Sequence, residues 1–169
     1  VTFIIGGCIS WLLIMLIWIF NKNIFMNNIY TVIIGGMVST FSYVLSKIMK
    51  IQYTVPENPI GILGLLLNLA SLFFIPFNFI FIFKAPEYLL ISLATITGAH
   101  FFPYAWFYKT KWYAIFAGEI VIGIFVLGIA LKIEKIYFMA LYMFISLGIM
   151  AAILYKESIN KQKNEPGAV

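Results

Sequence analysis

Residues 98–109, GAHFFPYAWFYK, contain the only histidine of the chain, His100, with a proline three residues later and a dense run of aromatic rings. Pro103 has no N–H to donate to the carbonyl oxygen of Ala99, so a helix through this stretch is predicted to kink there. Because lipid offers no donor for the freed carbonyl, this face is expected to point into a bundle or toward water. The stretch therefore predicts a kinked membrane helix that borders a polar interior.

The composition of the whole chain is that of an integral membrane protein. Of its 169 residues, 63% are hydrophobic and 10% are charged, with a mean hydropathy of +1.03. All 11 basic residues are Lys, so no Arg fork is present for phosphates, and a nucleic-acid partner is not predicted. Cys8 is the only cysteine, which excludes an internal disulfide and a thiolate metal cluster, and we predict neither a metal nor a cofactor. The expected partner is the lipid bilayer.

Long apolar runs predict an all-α bundle of six transmembrane helices with short loops. We expect one transmembrane domain over residues 1–155, followed by a polar cytoplasmic tail at 156–169. An Asn-rich loop at 21–28 is expected to separate the first two helices. The predicted helices span about 2–20, 29–47, 60–83, 88–108, 113–131 and 137–155.

The distribution of lysines predicts the orientation in the cell membrane. Six spans place both termini on one side, and that side carries seven Lys against four on the other. An excess of Lys marks the cytoplasmic side, so both termini are predicted to be cytoplasmic.

A polar layer is predicted in the cytoplasmic half of this bundle. Thr97, His100 and Tyr104 share one helix face by their spacing. Glu119, the one acid well inside a span, lies at nearly the same depth as His100, on the order of 10 Å from the helix ends. The predicted pocket residues are His100, Glu119, Tyr104, Asn68, Thr97 and Ser71, with helix kinks at Pro103 and Pro76. A purely structural alternative is open: His100 and Glu119 can fix helix packing, and Asn68 and Ser71 can bond neighbouring helices.

Three stretches together resemble the signature of a known family: ENPIGILGLLLNLASLFFIP (57–76), KAPEYLL (84–90) and GAHFFPYAWFYK (98–109). The family is an uncharacterised bacterial multi-pass membrane family, domain of unknown function family 7010, and the resemblance covers most of the chain. It implies cytoplasmic termini and no particular activity, and Glu119 is not part of its pattern. The positions that the resemblance singles out are Asn58, Asn68, Pro76, Pro86, Glu87, His100, Pro103 and Tyr104.

Three classes of function fit these residues. The favoured hypothesis is binding or transport of a small polar or amphipathic molecule, linked to protonation of His100 or Glu119. The alternative is a non-catalytic structural or regulatory subunit, a homodimer or other homo-oligomer formed through glycine-rich helix faces. A lipid-modifying enzyme with His100 as general base is disfavoured, because the sequence has no Asp, no metal-ligand cluster and no nucleophile elbow.

Overall fold

The computed structural model describes residues 1–50, 66–67, 69–70 and 73–164, and this part of the chain is all-helical. Single turns of 3-10 helix at Pro86–Tyr88 and Ile133–Lys135 precede two of the longer helices. The α-helices of the described part are α1 (Thr2–Phe20), α2 (Ile24–Gly36), α3 (Val38–Ile48), α4 (Ile75–Lys84), α5 (Leu89–His100), α6 (Phe102–Phe107), α7 (Trp112–Ala130) and α8 (Tyr137–Asn164).

Four helical segments of the described part are long and apolar enough to cross a membrane: Thr2–Phe20, Pro86–Phe107, Trp112–Ala130 and Ile133–Asn160. Helices α2 and α3 meet at a bend of 43°, and they make a fifth candidate if the pair is one span. Much of the predicted helix over 60–83 lies outside the described residues, which include helical residues at 66–67 and 69–70 and the last part of the prediction in α4. The predicted count of six spans therefore stays a prediction.

Helix α1 packs against α2, α3 and α8, and α8 also packs against α5 and α7. Its buried side chains recur every three or four residues, which gives it a continuous buried stripe. Helix α8 supplies a facing stripe of fully buried residues at the same spacing. The two stripes consist of Ile4, Cys8, Trp11, Ile14 and Trp18 on α1, and of Met139, Met143, Leu147 and Met150 on α8.

The second helix begins earlier than predicted. The expected loop at 21–28 is helical from Ile24, because the side chain of Asn23 accepts a hydrogen bond from the backbone N–H of Met26 (3.1 Å) and caps the first turn. Asn27 and Asn28 consequently lie inside the helix and are buried. Asn28 donates to the carbonyl oxygen of Pro86 (2.8 Å), a partner 58 residues away in the chain.

Both prolines predicted to kink helices lie in the first turn of a helix. Pro103 follows an interruption at Phe101, where the backbone N–H bonds to the carbonyl of Gly98 (3.1 Å) in a tightened final turn of α5. Pro76 lies in the first turn of α4, directly after a turn at residues 73–74. A missing N–H is harmless in a first turn, so each proline marks a helix start.

The last helix is longer than predicted. The residues from 156 onward were expected to form a fraying polar tail, whereas α8 continues to Asn164. Thr110, in the loop between α6 and α7, donates a hydrogen bond to Oε2 of Glu157 (2.7 Å) and ties this extension to the bundle. The Lys, Glu and Gln residues of the segment are also good helix formers.

Candidate functional site

His100 is the last residue of α5, half-buried, and it lies beside Tyr104 of α6. Its Nε2 is 3.3 Å from the Tyr104 hydroxyl, and either atom can be the donor, depending on the imidazole tautomer. The two rings meet edge to face with centroids 5.2 Å apart. The break in the helix at Phe101 thus keeps both side chains on one side of the chain, as their spacing predicted.

Tyr104 belongs to an aromatic cluster at the α6–α7 turn. Its ring is buried and stacks on Tyr108 (5.8 Å), which in turn stacks on Tyr113 of α7 (5.2 Å). Tyr108 lies outside the spans and is 51% exposed, and the loss of solvation on its packed side raises the pKa of its hydroxyl. Trp106 is 73% exposed on the other side of the helix, where it suits an interfacial belt.

The remaining pocket residues predicted from the sequence do not join this cluster through any hydrogen bond that we observe in the described part. Thr97 donates to the carbonyl oxygen of Leu93 (2.8 Å) in its own helix, a bond that satisfies the hydroxyl locally. Asn68 and Ser71 lie outside the described residues. Asn78, after Pro76, accepts a hydrogen bond from Ser92 of α5 (2.9 Å).

Glu119 lies on an exposed face of α7, within an apolar span, and it turns toward α8. The hydroxyls of Tyr142 and Ser146 both donate to its Oε1, the latter at 3.1 Å, and the Tyr142 hydroxyl also lies 3.0 Å from the Glu119 carbonyl oxygen. The partners of Glu119 in the described residues are therefore on α8, whereas Nε2 of His100 lies against Tyr104, four residues along the chain. We call Glu119, Tyr142 and Ser146 the carboxylate triad.

A glycine makes room for this arrangement. The Tyr142 ring lies directly over Gly123, and a Cβ built on Gly123 would overlap the hydroxyl and stand 2.7 Å from Cε1 of the ring. Only glycine therefore lets Tyr142 reach the carboxylate one turn away on α7. Sequence reasoning missed Tyr142, although the spacing of four that places Tyr142 and Ser146 on one face of α8 was a usable signal.

A second polar cluster occupies the opposite end of the bundle, where α1 meets α2. The indole N–H of Trp18 donates to Thr31 (3.0 Å), and the Asn27 amide donates to the carbonyl of Asn21 (3.0 Å). The side-chain oxygens of Asn27 and Asn28 are buried without a hydrogen-bond donor among the described residues. These hydrogen bonds hold the end of α1 against the start of α2. The sequence predicts a loop at Asn21, Asn27 and Asn28.

Two cavities open elsewhere in the described part. One, of about 370 Å³, lies between α4 and α5 and is apolar apart from Ser92 and Thr95. The other, of about 680 Å³, lies where the start of α1, the end of α3 and the last turns of α8 meet, and includes Met49 and Tyr155. Neither is lined by His100 or Glu119. Within the described residues, no group of three or more His, Cys, Asp or Glu side chains lies together.

Comparison with known proteins identifies a family and nothing further. The chain belongs to the "Family of unknown function (DUF7010)", whose model matches residues 1–157. Neither a curated protein nor a solved structure matches the chain.

Proposed function

We propose that this member of the DUF7010 family binds a small amphipathic molecule at an intramembrane site centred on Glu119, and transports it. One observation supports the proposal most: a carboxylate stands on the exposed face of an apolar span and is hydrogen-bonded by two hydroxyl groups. Ionisable side chains at such positions are costly and are found mainly where ions, protons or solutes pass.

The depth of Glu119 strengthens this interpretation. Glu119 follows the first residue of α7, Trp112, by seven residues, which places its Cα about 10 Å from that helix end. A glutamate side chain is too short to reach the membrane surface from there, whereas Lys and Arg can do so with their longer stems. Charge on Glu119 must therefore be neutralised in place, either by a proton or by a bound cation. Exchange of the two would link occupancy of the site to proton movement.

We propose that His100 and Tyr104 form a second polar site in the same half of the bundle as Glu119. His100 precedes Phe107, the last residue of α6, by seven residues, so its depth is close to that of Glu119. Its imidazole is the one side chain in the chain with an ordinary titration range near neutrality. Proton release to the cytoplasmic side is the role we assign to it.

The proposal includes six spans with both termini in the cytoplasm of the cell. Five candidate spans at most are found in the described part, and a sixth would need residues 60–83. The excess of Lys on the side of the termini, seven against four, supports the orientation. A reporter fused after residue 169 that is active only in the cytoplasm checks it, and a fusion active only outside the cytoplasm would reverse it.

Binding is tested with three aryl compounds of similar size and different charge: tetraphenylphosphonium, triphenylphosphine oxide and tetraphenylborate. Equilibrium dialysis against protein in phosphatidylcholine nanodiscs, with empty nanodiscs subtracted, measures saturable binding. We expect at least one compound to bind the wild-type protein and to bind Glu119→Gln more weakly. If none of the three binds above the empty nanodiscs, the binding function is wrong.

Transport and its proton link need a separate measurement. Uptake of the bound compound into proteoliposomes is expected to depend on an imposed pH gradient, and His100→Gln is expected to reduce that dependence more than it reduces binding. If uptake by the wild-type protein does not depend on the pH gradient, the proposed proton-coupled transport is wrong, although binding can still be correct.

A homo-oligomeric structural role is the second candidate, because a Cβ placed on Gly118, next to Glu119, would have no atom of another helix within 4 Å, so this position is open to a second copy. Native mass spectrometry in mild detergent distinguishes it. A dimer that Gly118→Leu dissociates would favour this role, and a monomer in both proteins would remove it.

A further inference from the structure

The face of α7 that carries Glu119 is otherwise apolar and exposed. Its exposed side chains recur every three or four residues along the helix, with Ile115 47%, Ile122 65%, Phe125 65% and Ile129 74% exposed. Such a stripe on a membrane span faces lipid tails. Glu119 interrupts it near the middle, so a molecule that reaches the carboxylate from this side arrives through the hydrocarbon layer.

The carboxylate has hydrogen-bond donors, and no cation lies beside it within the part of the chain that the structure describes. Tyr142 and Ser146 both donate to Oε1, and Oε2 has no donor among the described residues. All 11 Lys flank the apolar runs of the sequence, at the positions 22, 47, 50, 84, 109, 111, 132, 135, 156, 161 and 163. No lysine of the sequence therefore lies within an apolar run at the depth of Glu119.

We propose that Glu119 binds the head of a lipophilic organic cation, an amine or onium compound with an apolar body, which enters the site sideways from the bilayer. Tyr142 and Ser146 act as positioning residues that hold Oε1 and leave Oε2 for the cation. This inference rests on the proposed function and specifies its substrate class.

The apolar surroundings select this class over an inorganic ion. A metal ion would have to shed its water among Ile122 and Phe125, while the carboxylate triad offers it few oxygen ligands. An onium head is weakly hydrated, and its apolar body gains by contact with the same side chains. A zwitterionic lipid stays at the membrane surface, about 10 Å from Glu119 along the helix axis.

The test compares tetraphenylphosphonium with tetraphenylborate, which has nearly the same shape and the opposite charge. Both are measured by equilibrium dialysis against protein in phosphatidylcholine nanodiscs, with triphenylphosphine oxide as the neutral reference. The variants are Glu119→Gln, which keeps the side-chain size and removes the charge, and Glu134→Gln, which removes a charge from the exposed turn at the other end of α7.

We expect the wild-type protein to prefer the phosphonium, and Glu119→Gln to weaken its binding about 30-fold or more while tetraphenylborate binds as before. Glu134→Gln should bind like the wild type, and Tyr142→Phe should weaken phosphonium binding about tenfold. Gel filtration confirms that each variant is folded.

Equal phosphonium binding by the wild-type protein and Glu119→Gln would overturn the inference and indicate a carboxyl that carries only a proton. Tighter binding of the neutral or the anionic compound would overturn it too, while leaving the proposed binding function in place. Binding of none of the three refutes the proposed function itself, so the two failures are distinguishable.

Discussion

Gly123→Ala tests whether close packing of Tyr142 on Gly123 holds the carboxylate triad together. The new methyl group would overlap the Tyr142 hydroxyl and lie 2.7 Å from Cε1 of its ring, so the ring must move away from Glu119. Overpacking of this kind costs about 1–3 kcal/mol. The lost hydrogen bond to a charged oxygen adds about 1.5–3 kcal/mol. Replacement of glycine in a helix returns about 1 kcal/mol, which leaves a net loss of about 1.5–5 kcal/mol.

Gly118→Ala is the matched control, because nothing lies within 4 Å of a Cβ at that position of the same helix. It gains the same helical propensity and is expected to be neutral or slightly stabilising. The assay is equilibrium unfolding in mixed detergent micelles, followed by tryptophan fluorescence. If Gly123→Ala is as harmless as Gly118→Ala, the contact between Tyr142 and Gly123 is wrong.

A double-mutant cycle with Tyr142→Phe tests whether Gly123→Ala acts through the Tyr142 hydroxyl, which makes the hydrogen bond and also meets the new methyl group. Each single variant removes the Tyr142–Glu119 bond, so the double variant loses it only once and should be about 1.5–3 kcal/mol more stable than additivity predicts. Additive losses in the cycle would mean that Gly123→Ala acts without disturbing that bond.

Two further predictions concern contacts outside the triad. Gly98→Ala should destabilise the α5–α7 contact by about 1–3 kcal/mol in the same unfolding assay, because a Cβ there lies 3.0 Å from Cβ of Ile120. Gly118→Ala is again the control, and equal free energies of unfolding for the two variants would contradict the contact. Thr110→Val should lower stability by about 1–2 kcal/mol through loss of the hydrogen bond to Glu157 and increase proteolysis after residue 155, whereas Thr110→Ser should retain both properties.

The sequence predicted the positions of the spans well where a span is a single uninterrupted helix. The first helix was expected at 2–20 and is Thr2–Phe20, and the fifth was expected at 113–131 and is Trp112–Ala130. A helix in lipid must satisfy its own backbone groups, so the length of the apolar run nearly fixes its bounds. The breaks within helices were harder to predict from the sequence, since the bend after Gly36 depends on packing as well as on local sequence.

Polar residues near helix ends were the main source of error. Asn27 and Asn28 favour loops in local propensity, yet both are buried inside α2. The partner of Asn28 is the Pro86 carbonyl, which only the tertiary fold brings near. No local pattern contains such a contact, so sequence reasoning placed the helix start five residues late.

The sequence predicts depth in the membrane but not the direction of a side chain. Counting residues from the α6–α7 turn predicts nearly equal depth for His100 and Glu119, because the rise per residue is fixed. Whether their side chains meet depends on how each helix is rotated about its axis, which the neighbouring helices decide. Glu119 is directed to Tyr142 and Ser146 of α8, and His100 is directed to Tyr104.

The carboxylate triad is stronger evidence for a ligand site than His100 is. The bond between His100 and Tyr104 follows from a spacing of four and a helix restart at Pro103, so fold geometry alone is enough to explain it. Glu119 has no such explanation, because leucine at an exposed position would suit lipid better. Glycine at position 123 also stabilises the helix less than alanine would, and it leaves the space that Tyr142 needs to reach the carboxylate. Two unfavourable residues that serve one hydrogen bond are best explained by a ligand that needs the carboxylate held at that depth.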